Sequence, residues 1–311
     1  MKIDSKKVEF VAVIFIFGVV IANAIFYGEK GQDWGPYVED PLYLPRTFSL
    51  IFTPFRLLGY TTLSYLLWTV LNGIAYIWGS RQFGVSTTLT VFSFPFVYCL
   101  LAGQTEGILI AGLAIVSTVK NPKIAGIGIF LLSIKPHLGF FPIIYCLYQR
   151  RQELRQLIYI PILIVLISFV LYGFWIPAWI EATAFIRAIN HNLNSNFFPY
   201  LIPLVIIPFF WKNLTHVLLL QALIMPYYTI YSYGIIQATK KFSTLTNVVL
   251  WVIPTNLFFI WIQDPNIINP ILDIKSSIGF VVIPLLVFFE LAFLPPPLAP
   301  PSEGEGNLTP F

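Results

Sequence analysis

Residues 8–27 read VEFVAVIFIFGVVIANAIFY, and apart from Glu9 the stretch carries no charge. A bilayer core about 30 Å thick is crossed by roughly 20 such residues in an α-helix, so this segment is long enough to span alone. It shows no polar stripe, and a helix that is apolar all round belongs either deep in a protein or in lipid. Runs of the same kind recur at 60–79, 86–102, 107–119, 157–176, 214–235, 245–262 and 277–294, with shorter apolar pieces at 47–58, 123–134, 138–148 and 196–211. A twelve-residue piece rises only about 18 Å, so the short ones have to be re-entrant, broken, or buried among other helices.

Composition agrees with the runs. Hydrophobic residues make up 57% and charged residues 10% of the 311, at a mean hydropathy of +0.80. Soluble domains use roughly 45–50% and 25%, so water is excluded as the main solvent. Unpaired backbone groups are costly in lipid, which leaves helices rather than an open sheet. The expectation is an all-α integral membrane protein, a polytopic helical bundle of about 8–11 membrane segments, some short or re-entrant. It occupies 1–294, and a Pro/Gly/Glu-rich tail over 295–311 has too little apolar content to fold.

Charge supplies topology rather than a binding stripe. The net charge of +4 is scattered among loops, which argues against nucleic acid as a partner. Lys2, Lys6 and Lys7 precede the first span while Glu29, Asp33, Glu39 and Asp40 follow it, so the N-terminus is expected in the cytoplasm of a multi-pass protein of the cell inner (plasma) membrane. Arg81, Lys120–Lys123 and the Arg150–Arg155 cluster then fall inside, and a hairpin turning at Lys135-Pro136-His137 returns toward the outer leaflet. Ala22-Asn23-Ala24 imitates a signal-peptidase site, but an uncleaved first helix is expected. Cys99 and Cys146 lie inside apolar runs and suit buried thiols, not a zinc site or a disulfide framework.

Chemistry therefore belongs in the outer loops or the membrane interior. The first loop, Gly28 to Asp40, concentrates carboxylates and aromatic residues. One placed Asp or Glu there can take a proton from an acceptor hydroxyl; a solvated acidic loop is the plain alternative. Asp33 is the first choice, with Glu39, Asp40 and Glu106 as alternatives. The segment Asp40 to Phe55 is rich in Pro and aromatics, and it offers Tyr43 and a phosphate-binding or helix-anchoring Arg46. Gly103-Gln104-Thr105-Glu106-Gly107 is a polar turn between apolar helices. Gln104 and Glu106 there either hydrate the turn or line a cavity. Lys135-Pro136-His137 interrupts an apolar hairpin; a cation at that depth holds a phosphate or snorkels. The loop Arg187 to Asn196 carries the hydrogen-bonding groups His191 and Asn194 near Trp175 and Trp179. No metal-ligand cluster stands out.

Taken in order, Asp33, Tyr43-Leu44-Pro45 through Pro54, Gly103-Gln104, Ala125-Gly126 to Lys135-Pro136 with Arg150-Arg151 after it, Asn194-Ser195 and Met225-Pro226-Tyr227-Tyr228-Thr229 resemble the GT-C superfamily of membrane glycosyltransferases. The similarity is to the bacterial polyprenyl-phosphate-sugar-dependent mannosyl- and arabinofuranosyltransferase branch, and it covers roughly residues 8–235. The first loop is more compact than in that branch, and Leu44-Pro45-Arg46 stands where Tyr-Pro-Pro is usual. The resemblance implies an inverting single displacement. Asp33 deprotonates the acceptor, Lys135 with Arg46 stabilises the leaving phosphate, and Tyr43, Gln104, His137, His191, Asn194 and Tyr227 contribute to binding. It implies no resident cofactor or metal; the partners are membrane lipid, a polyprenyl-phosphate-linked sugar and a lipid or glycan acceptor of the cell envelope. A non-catalytic membrane scaffold subunit is the leading rival. A transporter or flippase ranks third, because the sequence has no convincing internal repeat.

Overall fold

A computed structural model describes residues 5–28, 30–31, 33–39, 44–189, 213–224, 230–243 and 246–248. Among them every secondary-structure element is helical. The apolar runs at 196–211, 245–262 (apart from 246–248) and 277–294 lie outside the described residues, as does the tail.

Helix α1 (Ser5–Tyr27) covers the first run as a single helix long and apolar enough to cross a membrane. Its buried residues are Ala12, Ile16, Val20 and Ala24, one every four positions, so a single narrow stripe faces the protein. Phe10, Val11, Ile14, Phe15, Val19 and Phe26 point outward and are exposed. The same holds for the segment Arg151–Tyr172, of which only 11% is buried. These two segments are long and apolar enough to cross a membrane, and a third crossing is counted if a bent pair is taken as one span.

That bent pair comes from the run at 86–102 and its successor. Instead of one helix, the chain forms α5 (Thr87–Val91) and α6 (Phe94–Ala102), because Ser93 turns to cap α6 and Pro95 occupies its first turn. Gly103, at φ 72°, then ends α6, and α7 (Glu106–Thr118) leaves at 120° to it. Gly103 is required twice over: φ is positive, and a Cβ there would stand 2.8 Å from Trp34 Cβ. Beyond Asn121, whose side chain caps the helix, α8 (Pro122–Leu132) runs to the turn ending in Lys135, and α9 (Pro136–Gln149) starts on a proline.

Helix α7 lies between α4 (Thr62–Gln82) and α8 and makes its most extensive contacts with both. Small residues permit the approach. A Cβ on Gly79 would meet Ile110 backbone at 2.9 Å, and one on Gly112 would meet the Gly128 carbonyl at 3.0 Å. Glycine at these contacts lets the backbones of the three helices pack closely.

Pro142 interrupts α9 and removes the N–H that the Leu138 carbonyl would have accepted. Gln221 of α13 (Leu214–Ile224) repairs the break. Its Nε2 donates to Leu138 O at 2.5 Å, and its Oε1 accepts from Phe141 N at 3.2 Å. Gln221 is fully buried, so water offers no substitute. Gln221→Leu is therefore expected to lower stability by about 1–3 kcal/mol, read as a drop in the unfolding transition of the purified protein in micelles; an unchanged transition would refute the repair.

Candidate functional site

The site is assembled at the end of α6. A helix terminus leaves its last carbonyls without partners, and where the terminus is buried, as here, each of them needs a donor. Helix α4 provides them from one face. Tyr65 OH donates to Leu100 O at 2.8 Å and to Leu101 O at 3.1 Å, and Trp68 Nε1 donates to Gly103 O and Gln104 O, both at 3.1 Å. Asn72 Nδ2 donates to Gln104 O at 2.8 Å, while its Oδ1 accepts the Ile108 N–H at 3.1 Å and so ties down the start of α7. Residues 65, 68 and 72 follow the helical repeat, so the three polar tips form one stripe.

The remaining carbonyl, Ala102 O, accepts the backbone N–H of Asp33 at 3.0 Å. This bond anchors the loop after α1. Gly31 makes room for it, since a Cβ there would stand 2.7 Å from the Ala102 carbonyl carbon. The helix α2 (Trp34–Glu39) that follows is fixed by Trp34, which stacks on Trp68 at 5.2 Å between ring centroids and donates Nε1 to Ser64 Oγ at 3.2 Å.

Side chains then run inward from Asp33. Gln104 Nε2 donates to Asp33 Oδ2, and Lys135 Nζ donates to Gln104 Oε1. Tyr37 OH donates to the same Oε1 at 2.9 Å. Lys135 Nζ also pairs with Glu106 Oε1 at 2.7 Å. The order fixes the orientation of the amide. An ammonium only donates, so the Gln104 atom facing Lys135 is its oxygen, and its NH₂ must face Asp33, whose carboxylate accepts. Gln104 and Glu106 are each 1% exposed and Lys135 is 6% exposed, whereas Asp33 is half-buried at the outer end. One ammonium thus stands between two carboxylates, paired directly with Glu106 and through Gln104 with Asp33. The arrangement offers Asp33 as a proton acceptor and places a cation within one side chain of it.

Asp33, the turn carrying Gln104 and Glu106, and Lys135, three places far apart in sequence, are brought together. Gln104 and Glu106 do not hydrate an exposed turn, because the turn is packed under α2 and against α4. His137 is half-buried in the first turn of α9, and Glu39 is exposed at the end of α2. Arg46 makes its described contact elsewhere, over the Tyr172 ring of α11 (Tyr159–Tyr172) at 5.6 Å. Asp40, Tyr43, His191, Asn194 and Tyr227 lie outside the described residues. Tyr37, Tyr65, Trp68 and Asn72 were not foreseen; the signal for three of them was a stripe of polar-tipped residues at 65, 68 and 72 in an otherwise apolar run. Cys99 and Cys146 are buried free thiols. Among the described residues, no group of three or more His, Cys, Asp or Glu side chains could hold a metal ion.

Comparisons with protein-family models, with curated proteins and with solved structures find no match to this chain.

Asn72→Leu keeps the side-chain size but removes one of two bonds at each end of the turn, leaving Gln104 O with Trp68 Nε1 and Ile108 N with Thr105 O. Hydrogen exchange across Gly103–Ile108 is expected to accelerate about tenfold or more, the counterpart of roughly 1.4 kcal/mol of lost local stability, with helix content unchanged. Equal exchange in the two proteins would remove Asn72 from the clamp.

Proposed function

We propose that the chain is a multi-pass GT-C-type membrane glycosyltransferase. It moves mannose or a pentose from a polyprenyl-phosphate donor to a lipid or glycan acceptor at the outer face of the cell inner (plasma) membrane, with its N-terminus in the cytoplasm. The observation that carries the reading is the direct chain of bonds Asp33–Gln104–Lys135. A base and a cation from separate segments, held beside one another at an interior helix break, are what an inverting displacement on a lipid phosphate requires.

In this reaction Asp33 accepts the proton of the acceptor hydroxyl, and the acceptor oxygen forms a bond to the anomeric carbon. The bond from that carbon to the phosphate oxygen breaks, and the electron pair leaves on the polyprenyl phosphate. Lys135 stabilises the charge that develops there. Gln104 and Tyr37 hold Asp33 and Lys135 in register. The donor binds as a substrate; no resident cofactor takes part.

The near-complete burial of Lys135 and Glu106 favours a second reading, a non-catalytic membrane scaffold in which the pair only pins helices together. Transfer of radiolabelled sugar separates the two. Purified protein given polyprenyl-phosphate-mannose or the corresponding pentose donor should label membrane lipid, and Asp33→Asn at matched folding should lower kcat by about 100-fold or more. No transfer from any such donor would leave the scaffold.

A further inference from the structure

We infer that Lys120, Lys123, Arg151 and Arg155 together form a docking site for the phosphate of an anionic lipid headgroup, at the start of the apolar segment Arg151–Tyr172. The inference does not depend on the sugar-transfer reading.

The four cations come from two segments some thirty positions apart, the turn between α7 and α8 with the first turn of α8, and the link after α9 with α10 (Leu154–Leu157). Arg150 brings the two segments together. Its guanidinium donates to Val116 O at 3.1 Å, Val119 O at 2.9 Å and Lys120 O at 3.0 Å, closing the C-terminus of α7. It also pairs with Glu153 at 2.6 Å. Glu153 is the one carboxylate in residues 117–124 and 149–157, and Arg150 engages it. Lys120, Lys123, Arg151 and Arg155 are all exposed. Their like charges repel one another, and a phosphate supplies the counter-charge; a guanidinium matches it with two parallel N–H groups.

The surroundings select a lipid phosphate over a free one. Tyr148 and Tyr159 are 61% and 59% exposed beside the cations, as rings at headgroup level commonly are. Arg151 lies 5.1 Å over the Tyr148 ring. Along α11, the helix that follows α10, Ile162, Leu166 and Val170 recur at helical spacing and present an exposed apolar surface for acyl chains. A lipid lying along α11 brings its phosphate to the four cations with its chains already in place, whereas inorganic phosphate gains nothing from that surface.

The test uses the full chain in neutral detergent, titrated with phosphatidylglycerol, with phosphatidylcholine and with inorganic phosphate. Bound lipid is counted by native mass spectrometry and protection by thermal unfolding. The expected result is retention of phosphatidylglycerol about tenfold or more over phosphatidylcholine, since each cation near an anionic surface adds appreciably to binding and salt screens it. That preference should fall as salt is raised. It should also disappear in K120Q/K123Q/R151Q/R155Q, in which Arg150 is kept because it holds α7. Equal retention of the two lipids, a preference that survives high salt or persists in the variant, or equal protection by inorganic phosphate alone would overturn the proposal. The salt titration on the unaltered protein decides the matter even if the variant fails to fold.

Discussion

An ammonium group held at 6% exposure among apolar helices demands a counter-charge, and Glu106 supplies it at 2.7 Å. Such a pair adds little net stability compared with apolar side chains of the same size, because desolvation offsets most of the attraction. What it does is make one arrangement of the chain far better than its neighbours. Lys135 is fixed to the start of α9 and Glu106 to the start of α7, so the pair sets the two helix ends against each other. The second bond of Lys135, to Gln104, extends that constraint through the helix break to Asp33.

The same demand for partners shapes the rest of the molecule. A helix end, or a proline inside a helix, leaves donors and acceptors that neighbouring segments have to satisfy. At the end of α6 they come from Tyr65, Trp68 and Asn72 and from the backbone of Asp33. At the Pro142 break in α9 they come from Gln221. At the end of α7 they come from Arg150. Each repair ties a broken helix to an element distant in sequence. The first of them lies against the candidate site and positions the groups that make it up.

The helix at 8–27 was legible because hydrophobicity and length alone decide that a segment is long and apolar enough to cross a membrane. So were the turns at Gly103 and at Lys135-Pro136, where glycine or proline makes a continuous helix unfavourable. The split of 86–102 into α5 and α6 was less legible, since Ser93 within an apolar run reads as a tolerated polar residue until its capping bond is seen. Tyr37 and Asn72 were hidden for a different reason. A tyrosine near an interface and an asparagine in an apolar helix are both common, and only their partners 67 and 32 to 36 positions away give them a role. That Lys135 meets Glu106 is likewise a long-range fact that spacing does not carry.

The central claim is that the Lys135–Glu106 pair holds this constellation together. It is tested most directly by a double-mutant cycle on unfolding in micelles with Lys135→Met, Glu106→Gln and the two combined. The account predicts that Lys135→Met alone costs about 3–5 kcal/mol, because it strands a buried carboxylate. It also predicts that the double variant is destabilised by clearly less than the sum of the two single changes. Additive effects, with no coupling between the two positions, would contradict it.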